Sequence, residues 1–373
     1  MAEDQGSGGT SAASGHLRHV DGLRALAALF VVVHHAYLTI WPIDYRVYPS
    51  GLDALLTNWA VFGHFGVSVF IVISGYVLAL PHAAGSRKFE AGRFYIRRCR
   101  RILPVYYASI ALCLVLIATV IGHKTGTHWD ISIPVTRDGL IEHLLMVQHI
   151  FGSANINHVL WSIGVEWQIY LVFPLLFLLW RKAGSCTTLL VGTVVGYGIH
   201  YLLRHTPYAG ATPEYLALFC MGMFAAKPPK AKGVPWGLLA AGSALIIVAI
   251  CQRLPVGLVM IRYWYLDAVV GFGTACLLIR TTEAGAARRA LEWSPLVRIG
   301  TFSYSLYLVH APLLQVAWQL MPATHERSSA AFGLLLLASI LPILGFSYLF
   351  FLAFERPFMS KRQRSAIESH AAP

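Results

Sequence analysis

The chain has 373 residues, of which 57% are hydrophobic and only 12% charged, with a mean hydropathy of +0.61. A soluble domain carries about a quarter charged residues, so this composition excludes a water-soluble globular protein and predicts a polytopic protein of the lipid bilayer. The net charge of +12 is read as membrane topology, and no nucleic-acid partner is expected.

Residues 1–19 are polar and rich in Gly and Ser, which predicts a disordered cytoplasmic tail. A single membrane domain is expected over 20–358 and a second cytoplasmic tail over 359–373. Apolar segments fall at about 22–41, 60–80, 102–122, 159–180, 186–203, 211–226, 235–252, 263–280, 299–320 and 331–354. Most approach the ~20 residues that cross ~30 Å of hydrocarbon. The expected fold is therefore all-α, with about ten transmembrane helices. The first run is too long, and lacks the small-residue site, to be a cleaved signal peptide. Arg87, Lys88, Arg93, Arg97, Arg98, Arg100 and Arg101 crowd one connector, and the excess of basic residues on that side predicts N-in, C-in topology. The outer connector 123–158 is long enough to fold back over a vestibule. Cys99, Cys113, Cys186, Cys220, Cys251 and Cys276 show no CxxC spacing; they read as small apolar residues, and no metal is expected.

The first span reads VDGLRALAALFVVVHHAYLTI and carries Arg24 and, eleven positions on, His35. Eleven steps of about 100° complete about three turns, so both side chains leave one face, roughly 16 Å apart along the axis. Ionisable groups inside a membrane helix mark functional sites. Two readings stand: a path from an inner arginine to a mid-depth imidazole, or a snorkelling Arg24 with His34 and His35 bonded to neighbouring helices. Gly63, Gly66 and Gly75 of the second span permit close helix approach.

Arg98 and Arg101, three apart at the inner mouth of the third span, share a face and suit phosphate recognition; anionic-lipid contact and topology explain the same residues. Glu166 is a carboxylate inside the apolar fourth span, with Tyr170 one turn on. His310 lies in the ninth span, six residues after Tyr304. Counting 1.5 Å per residue puts His35 and Glu166 roughly 20 Å from the inner face and His310 roughly 17 Å, a single layer within about 5 Å. Glu355-Arg356-Pro357 reads as a tie between helix ends.

Taken together, Arg24…His35 after Asp21-Gly22-Leu23, FGVSVFIVISGY, RCRRILP at 98–104, WSIGVE at 161–166, YSLYLVH at 304–310 and the terminal Glu355-Arg356-Pro357 resemble the acyltransferase-3 family of integral membrane acyltransferases. The resemblance runs from about residue 18 to 358. Trp167 and Ile169 depart from the family's usual Glu and Phe. What the resemblance implies is a membrane-bound O-acyltransferase that moves an acyl group from acyl-CoA, acetyl-CoA first of all, to a hydroxyl-bearing acceptor. Carbohydrates, cell-envelope glycans and small natural products such as a macrolide are the acceptor classes. The family's functional pair maps to Arg24 and His35 and its paired arginines to Arg98 and Arg101. On this reading Arg24, Arg98 and Arg101 hold acyl-CoA and His35 is the general base, with Glu166 orienting it. His310, Tyr170 and Tyr304 are expected to contact substrate, and Trp41, Tyr45, Tyr48 and Trp129 to stack on sugars. Some members add an outer hydrolase-like domain, for which no room is expected here. The expected location is the bacterial cytoplasmic membrane. A proton-coupled or anion transporter would use the same Arg/His/Glu set, but the inverted repeats common in such folds are not seen in the sequence.

Overall fold

The computed structural model describes residues 17–85, 88–230, 233–253, 263–360 and 364. Most of both assigned tails, and Arg87 of the basic connector, lie outside the described residues. The helices in chain order are α1 (Arg18–Ile40), α2 (Gly51–Thr57), α3 (Phe65–Ala79), α4 (Ala91–Leu116), α5 (Arg137–Leu144), α6 (Trp161–Leu203) and α7 (Tyr215–Ala226). They continue with α8 (Trp236–Arg253), α9 (Tyr263–Arg280), α10 (Ala286–Leu291), α11 (Ser294–Thr301), α12 (Ser303–Leu320) and α13 (Ser329–Phe350). The described residues contain no strand. Because α1 starts at Arg18, the helix begins inside the stretch assigned to the tail.

Each apolar segment read from the sequence is helical. Two of them are joined in α6, where Gly184 breaks the helical geometry at φ 87° and ψ 173°. A positive φ of this kind strains any residue with a Cβ. Among the described residues, six helices are long and apolar enough to cross a membrane. By contrast, α7 has 12 residues, about 18 Å at 1.5 Å per residue.

Burial is inverted relative to a soluble protein. Leu175, Leu238, Leu337 and Leu341 are 70–79% exposed, whereas His310, Asp267 and Glu355 are at most 2% exposed. Such a surface is stable only against hydrocarbon, and each buried polar group must find a partner inside. Glu355 does so by accepting from Ser305 Oγ at 2.6 Å, which ties the end of α13 to α12.

Helix α1 runs through the interior and packs on α3, α11, α12 and α13. Small residues let the backbones close up: Ala25, Ala28 and Ala36 of α1 are fully buried. A very close approach joins α3 to α7. A Cβ on Gly75 would stand 2.0 Å from the Phe219 carbonyl oxygen, and one on Gly222 would stand 1.9 Å from that of Val72. Glycine on both sides of the contact holds α3 at the depth that presents Ser68 and Ser74 inward. Gly75→Leu or Gly222→Leu should therefore lower stability by at least about 1–3 kcal/mol, read as a lower thermal midpoint of the detergent-solubilised chain. Gly198→Ala, where a Cβ meets nothing within 4 Å, should stay within about 0.5 kcal/mol of the parent.

Candidate functional site

Helices α1, α3, α4, α6 and α12 enclose a cavity of about 160 Å³. Arg24, Arg98, Arg101, Glu166, Tyr170 and Tyr304 all line it. Arg98 and Arg101 arrive together because three residues of helix return to the same face. Glu166 Oε1 accepts from Ser74 Oγ at 2.6 Å and from the Tyr170 hydroxyl. The Arg98 guanidinium carbon stands 5.7 Å from the centre of the Tyr170 ring and 5.9 Å from that of Phe94. Among the described residues, none of the three arginines has a carboxylate oxygen within 4.0 Å. Arg98 Nε and the Tyr304 hydroxyl are buried with no hydrogen-bond partner among the described residues. A buried donor left unpaired costs about 1–3 kcal/mol. Three guanidiniums facing one carboxylate, with open donors, make this cavity a receptor for an anionic or carbonyl-bearing group.

A second cavity, of about 440 Å³, adjoins the first. Val67 and Tyr307 line both, and so form the wall between them. The Tyr307 hydroxyl donates to the Val159 carbonyl at 2.9 Å and meets Ser162 Oγ at 2.6 Å. Along α1 the two cavities are stacked, Arg24 in one and His35 in the other, as the eleven-residue spacing requires.

The hydrogen-bond network around His35 determines its tautomer. His310 is completely buried, and its Nδ1 faces the carbonyl oxygens of Tyr307 at 2.7 Å and Leu306 at 3.3 Å, so Nδ1 carries the hydrogen. In the neutral ring Nε2 is then a bare acceptor. It lies 3.1 Å from His35 Nδ1, which also meets the Val31 carbonyl oxygen at 2.9 Å. With acceptors on both sides, His35 Nδ1 carries the hydrogen, and its Nε2 presents a lone pair.

The outer cavity is finished by the connector 123–158, which supplies His128, His149 and His158. This loop is pinned at several points. Asp130 accepts from the backbone N–H groups of Thr125 at 2.9 Å and Gly126 at 2.8 Å and from the Tyr45 hydroxyl at 2.7 Å. Asn157 Nδ2 donates to the Leu308 carbonyl at 3.0 Å. His128 bonds Asp44 and His158 Nδ1 meets Ser132 Oγ at 2.9 Å. Facing the histidines, the His64 ring stacks on Tyr263 with centroids 4.0 Å apart and on Trp161 at 5.9 Å. Asp267 accepts from Ser68 Oγ.

Three expectations need correction. Glu166 does not meet His35: it sits one helical turn inward of Ser162, in the arginine cavity, and the ring held against His35 is His310. Depth counting resolves no better than about 5 Å, which is enough to merge the two layers. His310 itself lies behind His35 and lines neither cavity, so it is not placed to touch substrate. Trp41 and Trp129 are 1–2% exposed and belong to the packed interior, while Tyr45 and Tyr48 lie outside both cavities; Trp161 and Tyr263 are among the aromatic rings that line the outer one. Asp267, a carboxylate inside an apolar helix, carried the same sequence signal as Glu166. His128 and His158 carried no comparable signal, since histidines in polar connectors are ordinary, whereas His64 lay inside the apolar segment 60–80.

The chain is similar to known proteins over most of its length. A family model described as an acyltransferase domain matches residues 17–353. The O-acetyltransferase OatA of Staphylococcus aureus is 26% identical over 333 residues, covering 80% of this chain and 51% of that protein. The putative peptidoglycan O-acetyltransferase YrhL of Bacillus subtilis is 26% identical over 340 residues, 80% of this chain and 49% of that one. The peptidoglycan O-acetyltransferase OatA of Listeria monocytogenes is 25% identical over 348 residues, 83% and 51%. The chain spans about half the length of the curated relatives it matches. No solved structure gives a significant match. With apolar helices wrapped around buried ionisable groups and a family match over most of its length, the chain is an integral protein of the bacterial cell membrane and belongs to the acyltransferase domain family.

Proposed function

We propose that the chain transfers an acyl group, acetyl first of all, from acyl-CoA to a hydroxyl of a cell-envelope glycan such as peptidoglycan. The observation that carries this reading is the pair of cavities back to back: arginines on one side, a bare imidazole nitrogen on the other, with Val67 and Tyr307 lining both. The names of the bacterial relatives favour a glycan over a small natural product as acceptor.

In this mechanism the arginine cavity opens toward the cytoplasm, in keeping with the basic residues on that side. At about 160 Å³ it has the scale of a cavity that holds benzene, so it takes the thioester end of the donor. The nucleotide phosphates stay outside, near the exposed Arg97 and Arg100. The acceptor hydroxyl enters the histidine cavity with its sugar against Trp161 and Tyr263. Once the Tyr307 side chain moves aside and joins the two cavities, His35 Nε2 takes the hydroxyl proton as the oxygen attacks the thioester carbonyl. The tetrahedral intermediate then collapses, the carbon–sulfur bond breaks, and the imidazolium returns its proton to the departing CoA thiolate. His310 Nε2, accepting from His35 Nδ1, holds the productive tautomer and stabilises the imidazolium, as the carboxylate does in a Ser-His-Asp triad. Glu166 keeps Ser74 and Tyr170 in place beside the donor.

His35→Ala should lower acyl transfer by about 10²- to 10⁴-fold with the thermal midpoint unchanged. In a strain carrying only that variant, mass spectrometry of the wall glycans should show an acetyl group missing; wild-type acetylation would refute the reading. Arg98→Ala should weaken acyl-CoA binding by about 1.5–3 kcal/mol, measured by calorimetry on the detergent-solubilised chain. His310→Ala should reduce kcat more than KM, and His310→Gln, whose amide oxygen can accept the same hydrogen, should retain more of kcat than the alanine variant.

A further inference from the structure

The histidines of the outer connector have no part in the mechanism above, yet they converge on its base. One ring nitrogen from each of His35, His128 and His158 lies within 4.8 Å of the other two. The Nδ1 atoms are engaged elsewhere: His35 on Val31 and His310, His128 on Asp44, and His158 on Ser132. The Nε2 atoms are thus the ones left to face the cavity, and His158 Nε2 is buried with no hydrogen-bond partner among the described residues. All three residues line the same space.

We propose that His35, His128 and His158 form a three-nitrogen binding site for a divalent transition ion such as zinc. The donor set has the features such sites share. Metal-binding imidazoles give their second nitrogen to an acceptor, commonly a carboxylate, which fixes the ring and raises its basicity. Asp44 does this for His128, and backbone and side-chain acceptors serve the other two. Zinc–nitrogen bonds of about 2.0–2.1 Å place tetrahedral ligands roughly 3.4 Å apart. The rings therefore have to close by up to about 1.4 Å, a movement within reach of side-chain rotations. Three protein ligands leave a fourth position open to the cavity. Sequence spacing could not disclose the site, because its ligands come from α1 and from two ends of one long connector.

The site shares a nitrogen with the proposed base. An ion on His35 Nε2 occupies the lone pair that takes the acceptor's proton, so a filled site is an inhibited one. This consequence rests on the acyl-transfer reading; the binding site does not. The test uses the full chain in detergent, purified without a polyhistidine tag, stripped with chelator and titrated with zinc chloride. One ion per chain is expected, with a higher thermal midpoint, and cobalt(II) in its place should give the intense visible absorption of a four-coordinate ion. His128→Ala and His158→Ala should each weaken binding at least about 100-fold, and Asp44→Asn by about 10- to 100-fold. His325→Ala, whose ring stacks on Trp318 away from this cavity, should bind as the parent does. Zinc bound at well below one ion per chain, or bound unchanged by the His128→Ala/His158→Ala double variant, overturns the site. Should zinc bind while acyl transfer continues at full occupancy, the shared nitrogen is refuted. If no acyl transfer occurs with or without zinc, the reading of the enzyme fails and the binding result still decides the site.

Discussion

The structure depends on the contact between two imidazoles, His310 Nε2 and His35 Nδ1, 3.1 Å apart. A lone pair offered at mid-depth in a membrane is of use only if the ring bearing it is held in one tautomer and one orientation. In a Ser-His-Asp triad a buried carboxylate does this; here an imidazole on the neighbouring helix does. The carbonyls of Leu306 and Tyr307 fix His310, His310 and the Val31 carbonyl fix His35, and the chain of donors ends at a bare nitrogen. Every atom of it is backbone or imidazole, so the arrangement carries no buried net charge. A neutral relay avoids the desolvation cost of several kcal/mol that an unpaired ion would meet here.

The second constraint is separation. Arginines and a carboxylate occupy one cavity, histidines and aromatic rings the other, and Tyr307 with Val67 stands between. Gathering three half-buried guanidiniums beside Glu166, without direct ion pairs, is unfavourable in the absence of an anion. The packing that tolerates it is backbone-tight: the Gly75–Gly222 approach and the alanines of α1 leave little room for the helices to collapse into the cavity. Rigid small-residue contacts and open polar cavities are therefore two aspects of one design, since lipid supplies no hydrophobic force to press helices together.

The outer connector is a third element. Its asparagine, aspartate and threonine side chains bond backbone groups and α12, and this turns the connector 123–158 into a fixed wall. Three of the histidines around His35 reach the cavity only because that wall is held.

Much of this was present in the sequence. Segment length and composition gave membrane helices, since hydrocarbon thickness sets how many apolar residues a span needs. The eleven-residue step from Arg24 to His35 and the three-residue step from Arg98 to Arg101 gave shared faces, because helical rotation is a local property. Partner identity is not local. Whether Glu166 or His310 meets His35 turns on the rotation and relative depth of α1, α6 and α12, which only their mutual packing decides. The arrival of His128 and His158 turns on the path of a long connector, which no periodicity governs. Sequence alone determined that ionisable groups enter the membrane, and the tertiary structure decided which of them touch.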